Sequence, residues 1–256
     1  MRRLWRELGP PLAGVAALLI VWSVVAAFAA SDVIPSPAQV WRAFSARVSD
    51  GTIPEAALKT LIRLAFAFAA SIVIGGVLGA ALTLNEFARR SIRPLVVALQ
   101  IAPSIAWLPL AVVWFGATER AVVFVTIVGA FPSVTLATIA AFRQVPPLLT
   151  RAGRTLGAEG WDLYRLVIFP AALPGFVAGL QQAWGFAWKA LMAAEILLTA
   201  ARATGLGHLL AQTQQDVPAL LATLAVIVVI GVAVDYLVFT LLDRRVRGRR
   251  GLLAGE

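Results

Sequence analysis

The chain has 256 residues, of which 60% are hydrophobic and 14% charged, and its apolar runs are too long and too many for one water-surrounded core. The net charge of +9 comes from 20 Arg and two Lys, set in short clusters between those runs, which is a pattern of membrane topology rather than of a nucleic-acid surface. With no cysteine, disulfides, a thiol nucleophile and Cys-ligated metal or iron–sulfur centres are excluded.

A helix needs roughly 20 apolar residues to cross about 30 Å of hydrocarbon. Nothing in the chain alternates as barrel strands do, so the expected fold class is all-α integral membrane, with six transmembrane helices in a single domain. The first span is expected at 12–30, after the basic leader MRRLWRE. AFAASD at 27–32 resembles a signal-peptidase site, but the apolar run before it exceeds the 7–15 residues of an ordinary signal core, so a retained anchor is expected. Ser36-Pro37 suits an N-cap and first helical position, predicting a short helix from Pro37 to about Val48. The second span falls at about 64–84, and Gly75 and Gly79 share one of its faces, where another helix of the same subunit can approach.

The basic turn NEFARRSIRP leads to a third span at 95–115, which Pro103 and Pro109 should kink or break. A fourth span at 121–142 carries Pro132, near which a further kink is expected. Pro146-Pro147 end it and open a polar segment, 146–170. There Leu148, Leu149, Ala152 and Leu156 share one side of a short helix, Gly157 supplies a break, and a second amphipathic helix is expected at 161–169. Pro170 and Pro174 are expected to redirect the chain into a fifth span at 175–198. The loop TAARATGLGHLLAQTQQDVP precedes a sixth span at 219–242, and a basic tail follows. Six spans put both termini on one side. The stretches on that side hold 15 Arg and Lys against six in the opposite loops, which places the termini and segment 146–170 in the cytoplasm.

On physical grounds alone the polar segment is either an amphipathic linker lying on lipid headgroups or a docking element for a groove on a cytoplasmic partner. It resembles the signature loop of ABC-importer permeases, in which Glu-Ala-Ala, three residues, Gly, nine residues, Ile, one residue and Leu-Pro follow in order. Gly157 stands at the glycine, Val167 at the isoleucine and Phe169-Pro170 at the Leu-Pro, while Arg151-Ala152-Gly153 replaces Glu-Ala-Ala, so the leading glutamate is absent. VIPSPAQV, PSIAWLPLAVVWFG, AWKALMAAE and TGLGHLL are similar to stretches of the nitrate/sulfonate/taurine/bicarbonate-type permeases. The resemblance covers about residues 33–243. It implies the type I importer permease fold in the inner (cytoplasmic) membrane, a second permease subunit (a homodimer is expected), two cytoplasmic ATP-binding subunits and an extracytoplasmic solute-binding protein. It further implies coupling to the ATPases through 148–170, at Ala152, Gly153, Leu156, Gly157, Trp161, Tyr164, Arg165 and Pro170, and a small anionic solute. No P-loop is present, since the two lysines lie in ALKTL and AWKAL. ATP hydrolysis therefore belongs to another polypeptide, and neither cofactor nor metal is called for.

Candidate positions on the translocation path are Pro103, Pro109, Gln182 and Lys189. Gln182, Gly185, Lys189 and Ala193 follow helical spacing and form a small, polar stripe. Lys189 either attracts an anionic solute or snorkels to the outer headgroups. Glu195 is expected to contact the outer loop, and Asp235 to be met by Arg244 or Arg245. His208 has no triad or metal pattern around it, and Trp184 and Trp188 are expected to pack. Two other classes compete with a permease subunit: a secondary transporter or channel working without an ATPase, for which no internal repeat is found, and a membrane enzyme, for which no catalytic constellation is found.

Overall fold

A computed structural model describes residues 2–28, 34–198 and 204–248. In chain order the helices are α1 (Arg2–Phe28), α2 (Pro37–Ser49), α3 (Thr52–Leu84), α4 (Glu86–Ile101), a 3₁₀ turn (Ser104–Trp107), α5 (Leu108–Phe115), α6 (Glu119–Arg143), α7 (Pro147–Thr155), α8 (Gly160–Leu163), a π-helical turn (Tyr164–Ile168), α9 (Phe169–Leu197), α10 (Leu206–Gln212), α11 (Val217–Val234), a second π-helical turn (Asp235–Thr240) and α12 (Leu241–Gly248). The described residues contain no strand. Among the described residues four helices are long and apolar enough to cross a membrane, namely Thr52–Leu84, Glu119–Arg143, Gly160–Leu197 and Val217–Thr240. A fifth candidate span is the pair Glu86–Ile101 and Ser104–Phe115, bent by 96°. Within α1 the apolar stretch is Ala13–Phe28. The small-residue stretch considered as a cleavage site lies mostly outside the described residues.

α6 is the centre of the bundle. It has valine, alanine and threonine on nearly every side, so α3, α4, α5 and α9 can all pack on it. Gly75 and Gly79 of α3 face it as expected: a Cβ on Gly75 would stand 2.6 Å from Phe131 O and 2.7 Å from Val134 Cβ. From the other side Gly179 of α9 meets Ala137. Aromatic rings close the core near the start of α12, where Phe68 and Trp184 meet edge to face at 5.7 Å and Trp184 stacks on Trp188 at 6.1 Å.

α2 starts as expected. Ser36 accepts from Gln39 N–H, and the Gln39 side chain returns to the Ser36 backbone in a capping box. α2 packs on α11, with Arg47 and Asp216 3.4 Å apart. In the turn to α3, hydrogen bonds from the Thr52 side chain and N–H hold the Asp50 carboxyl below its usual range. α1 turns its apolar side chains outward and is tied to the bundle by Trp22 Nε1–H donating to Pro35 O at 3.1 Å.

Three expectations about the spans need correction. The second span belongs to a longer helix that begins at Thr52, because TIPEAALKT continues the helical pattern with Glu55 and Lys59 paired i, i+4. Only Pro103 breaks the third span, whereas Pro109 is the second residue of α5, where a missing N–H costs nothing. Pro132 lies inside an uninterrupted α6, buried against its neighbours. Pro170 and Pro174 likewise do not redirect the chain, since Gly160–Leu197 is one helix of 38 residues. Its π turn, with Phe169 N–H donating to Tyr164 O, gives the wider spacing that accommodates Pro170 without a break.

Candidate functional site

The polar segment is a compact helix–turn–helix. α7 ends in a Schellman motif, with Ala158 N–H donating to Gly153 O at 3.0 Å and Gly157 N–H to Arg154 O at 2.9 Å. That closure requires Gly157 at φ +86°, in the left-handed region open to glycine. Gly153 is buried because α7 lies directly on the following helix: a Cβ there would be 2.8 Å from Val167 Cγ2 and 3.1 Å from Leu163 Cδ1. Packing this way turns Leu148, Ala152 and Leu156 outward, Leu156 being 87% exposed.

The eight expected coupling positions therefore divide. Ala152, Leu156 and Gly157 lie on the exposed surface, Gly153 is buried against the following helix, and Pro170 is half-buried. Trp161, Tyr164 and Arg165 line an apolar cleft of about 570 Å³ between α3, α6 and α9, together with Phe142 and Phe176.

The four expected path positions divide too. At Pro103 the chain is extended for two residues, and Gly129 of α6 lies beneath the break, where a Cβ would be 2.6 Å from Ala190 Cβ and 3.1 Å from Ser104 Cβ. The break of the third span, α6 and α9 thus meet at one point. Pro109 sits beyond it. Gln182 and Lys189 are both exposed, on the face of α9 opposite its buried Ala183, Ala187, Ala190 and Leu191. Gln182 lines a polar cleft with Gln100 and Ser133. Lys189 is not part of it, and its Nζ lies 6.0 Å from the Phe186 ring centroid.

Sequence reasoning missed the part that Thr60 and Arg63 play in a buried hydrogen-bonded cluster around Glu195. Glu195 is 1% exposed and Arg63 7%. Arg63 Nη1 donates to Glu195 Oε1, while Nη2 donates to Glu119 Oε1 at 3.0 Å and to Thr204 O at 3.4 Å. Thr60 Oγ1 donates to the Glu195 carboxylate at 3.0 Å and accepts from Leu206 N–H at 2.8 Å. Gly207 N–H donates to Glu195 Oε2 at 2.9 Å. One carboxylate thereby ties α3, α9 and the start of α10 together. The expected contact between Glu195 and the outer loop is present. Its charge partner could have been sought at Thr60 and Arg63, spaced i, i+3 at the head of an apolar run. Asp235 accepts from Gln181 Nε2 at 3.0 Å on the facing helix, and the side chain of Arg244, expected near it, lies outside the described residues. His208 Nε2 lies 2.7 Å from Gln212 Nε2, a local contact within α10.

Residues 71–248 match the family described as binding-protein-dependent transport system inner membrane component. The chain belongs to that family. The taurine transport system permease protein TauC of Escherichia coli is 30% identical over 249 residues, covering 94% of this chain and 87% of TauC. The nitrate import permease protein NrtB of a Synechocystis species is 28% identical over 197 residues, 73% of this chain and 71% of its own. Across such relatives the chain spans between 62% and 87% of their length. The fold matches a subunit of the MetNI methionine ABC transporter, solved in inward-facing conformations, with TM-score 0.61 and 23% identity over 77% of this chain and 95% of that one. The protein is thus a multi-pass permease component of the inner membrane with the type I importer fold, and not an enzyme. The secondary-transporter reading gives way to the family match. A permease of this kind works with an ATPase and a solute-binding protein.

Proposed function

We propose that this permease forms the path for a small anionic solute of the sulfonate, taurine, nitrate or bicarbonate class, and that two ATPase subunits drive it through residues 148–170. The observation that carries the reading is the continuity of Gly160–Leu197. Its 38 residues make a rod of about 57 Å at 1.5 Å per residue, far beyond the roughly 30 Å of a hydrocarbon core. One end carries α7 and the other holds Glu195 in its network with Arg63 and Gly207. A push on the segment at one surface is therefore delivered to the loop at the opposite one.

In this reading Ala152, Leu156 and Gly157 seat in a groove of the ATPase, and Gly153 and Pro170 keep α7 and its rod a single body. Trp161, Tyr164 and Arg165 anchor the segment at the membrane surface. The excess of arginine beside α4 and α7 supports a cytoplasmic position for both termini. The opposite face, with α2 and α10, receives the binding protein, and a second copy of the chain completes the path along the Gln182–Lys189 stripe. The test is co-purification from membranes with the partner ATPase. Leu156→Asp and Gly157→Trp should release the ATPase while the permease remains monodisperse. Retention of the ATPase by both variants would remove the segment from the coupling role.

A further inference from the structure

The second cleft has a composition that the coupling scheme does not use. α4 and α9 both pack on α6 from different sides, and the space left between them, about 570 Å³, has α6 as its floor. Arg89, Arg93 and Arg143 line it, together with Gln100, Ser133 and Gln182. Arg89 is already committed to Glu86 in an ion pair. Among the described residues no carboxylate lies within ion-pair distance of Arg93 or Arg143. Two guanidinium groups therefore face a cleft that offers them no counter-charge.

Depth separates this arrangement from ordinary topological arginines. Gln100 lies seven residues beyond Arg93, about 10 Å along α4, and Ser133 ten residues before Arg143, about 15 Å along α6. Gln182 is about 10 Å beyond Gly175 on α9. Three helices running in alternating directions thus bring neutral donors to a similar depth below a cationic rim. Uncharged amides at such depth are unfavourable against lipid tails and useful against a polar guest. The volume is within the 300–1,000 Å³ typical of ligand sites.

We propose that this cleft is an oxyanion-binding vestibule at the end of the path nearest the coupling segment, selecting a sulfonate, sulfate or nitrate group. The inference rests on the importer reading above and adds to it the place where the solute dwells on that side. Arg93 and Arg143 draw the oxyanion in through charge-assisted hydrogen bonds. The hydroxyl and amide donors hold it without a fixed positive charge, which keeps binding weak enough for release. Arg143 is followed after two residues by Pro146, so an occupied vestibule abuts the hinge of the coupling segment.

The test uses the full-length permease with its ATPase subunits in nanodiscs of phosphatidylcholine alone. Calorimetric titration with sulfate, nitrate and taurine should give saturable binding of at least one. Arg93→Gln/Arg143→Gln should weaken it about tenfold or more, and Gln182→Leu, which changes no charge, several-fold. Arg120→Gln, at the far end of α6, should leave it unchanged. Two results overturn the proposal. One is the absence of saturable binding for all three anions. The other is binding insensitive to Gln182→Leu but displaced by phosphatidylglycerol, which would make the arginines a lipid-headgroup site. Retention of the ATPase by the same variants is scored separately. Binding lost with the ATPase retained refutes nothing in the importer reading, whereas a wild-type chain that never retains an ATPase refutes that reading instead.

Discussion

Glu195 would be a costly residue to bury alone, and three donors make its position tolerable: Thr60, Arg63 and Gly207 N–H, with Thr60 itself held by Leu206 N–H. Removing Arg63 leaves the carboxylate unpaired, so Arg63→Met should destabilise the permease by about 3–5 kcal/mol. Arg63→Met/Glu195→Leu should recover much of that loss. Thermal unfolding in detergent measures both, and a double variant no better than the single one would show that the pair is not the unit. At Gly157 the left-handed backbone sets the rule. Gly157→Asn should be tolerated, while Gly157→Val should cost about 1–2 kcal/mol and loosen α7, read as faster proteolysis of the segment with the bundle intact. The glycine was legible as a break, since only glycine commonly ends a helix this way. Arg63 was not legible as a partner of Glu195, because 132 positions separate them and only the packing of α3 on α9 brings them together.

At the scale of elements, the contacts of α6 depend on small residues on both sides. Gly179→Ala should clash with Ala137 and cost about 1–3 kcal/mol by overpacking. Ala137→Gly in the same chain should relieve it, and the paired unfolding curves decide. Which stretches are helical was readable, because long apolar stretches in lipid have only the helix to satisfy their backbone, but the polar starts at Thr52 and Gly160 hid the true length of two of them. The effect of each proline was not. The same residue type breaks the chain at Pro103, starts a helix at Pro109, lies within one at Pro132 and follows a π turn at Pro170. What differs is whether neighbouring helices restrain the turn before it. Around Pro132, α3 and α9 clamp α6 at Gly75, Gly79 and Gly179, and a kink there would open both interfaces.

At the scale of the molecule, orientation can be checked directly because the chain has no cysteine. In intact cells, Ser45→Cys in α2 should react with an impermeant maleimide. Ala158→Cys in the turn after α7 should react only after permeabilisation, and the reverse pattern would invert the topology. Transport in proteoliposomes should also require the ATPase, with uptake absent when the permease is reconstituted alone.

The sequence by itself determined that the chain is a helical membrane bundle, how its basic residues divide between the two sets of loops and which segment is polar enough to leave the lipid. Those properties are sums over neighbouring residues, and solvent partitioning acts on them locally. Only the tertiary structure decided that the end of the polar segment and the apolar stretch after it are one rod, that Arg63 pairs with Glu195, and that Arg93, Arg143 and Gln182 border one cleft. Each of these depends on which helices touch, and contact between distant stretches is set by the fit of glycines and small side chains on α6.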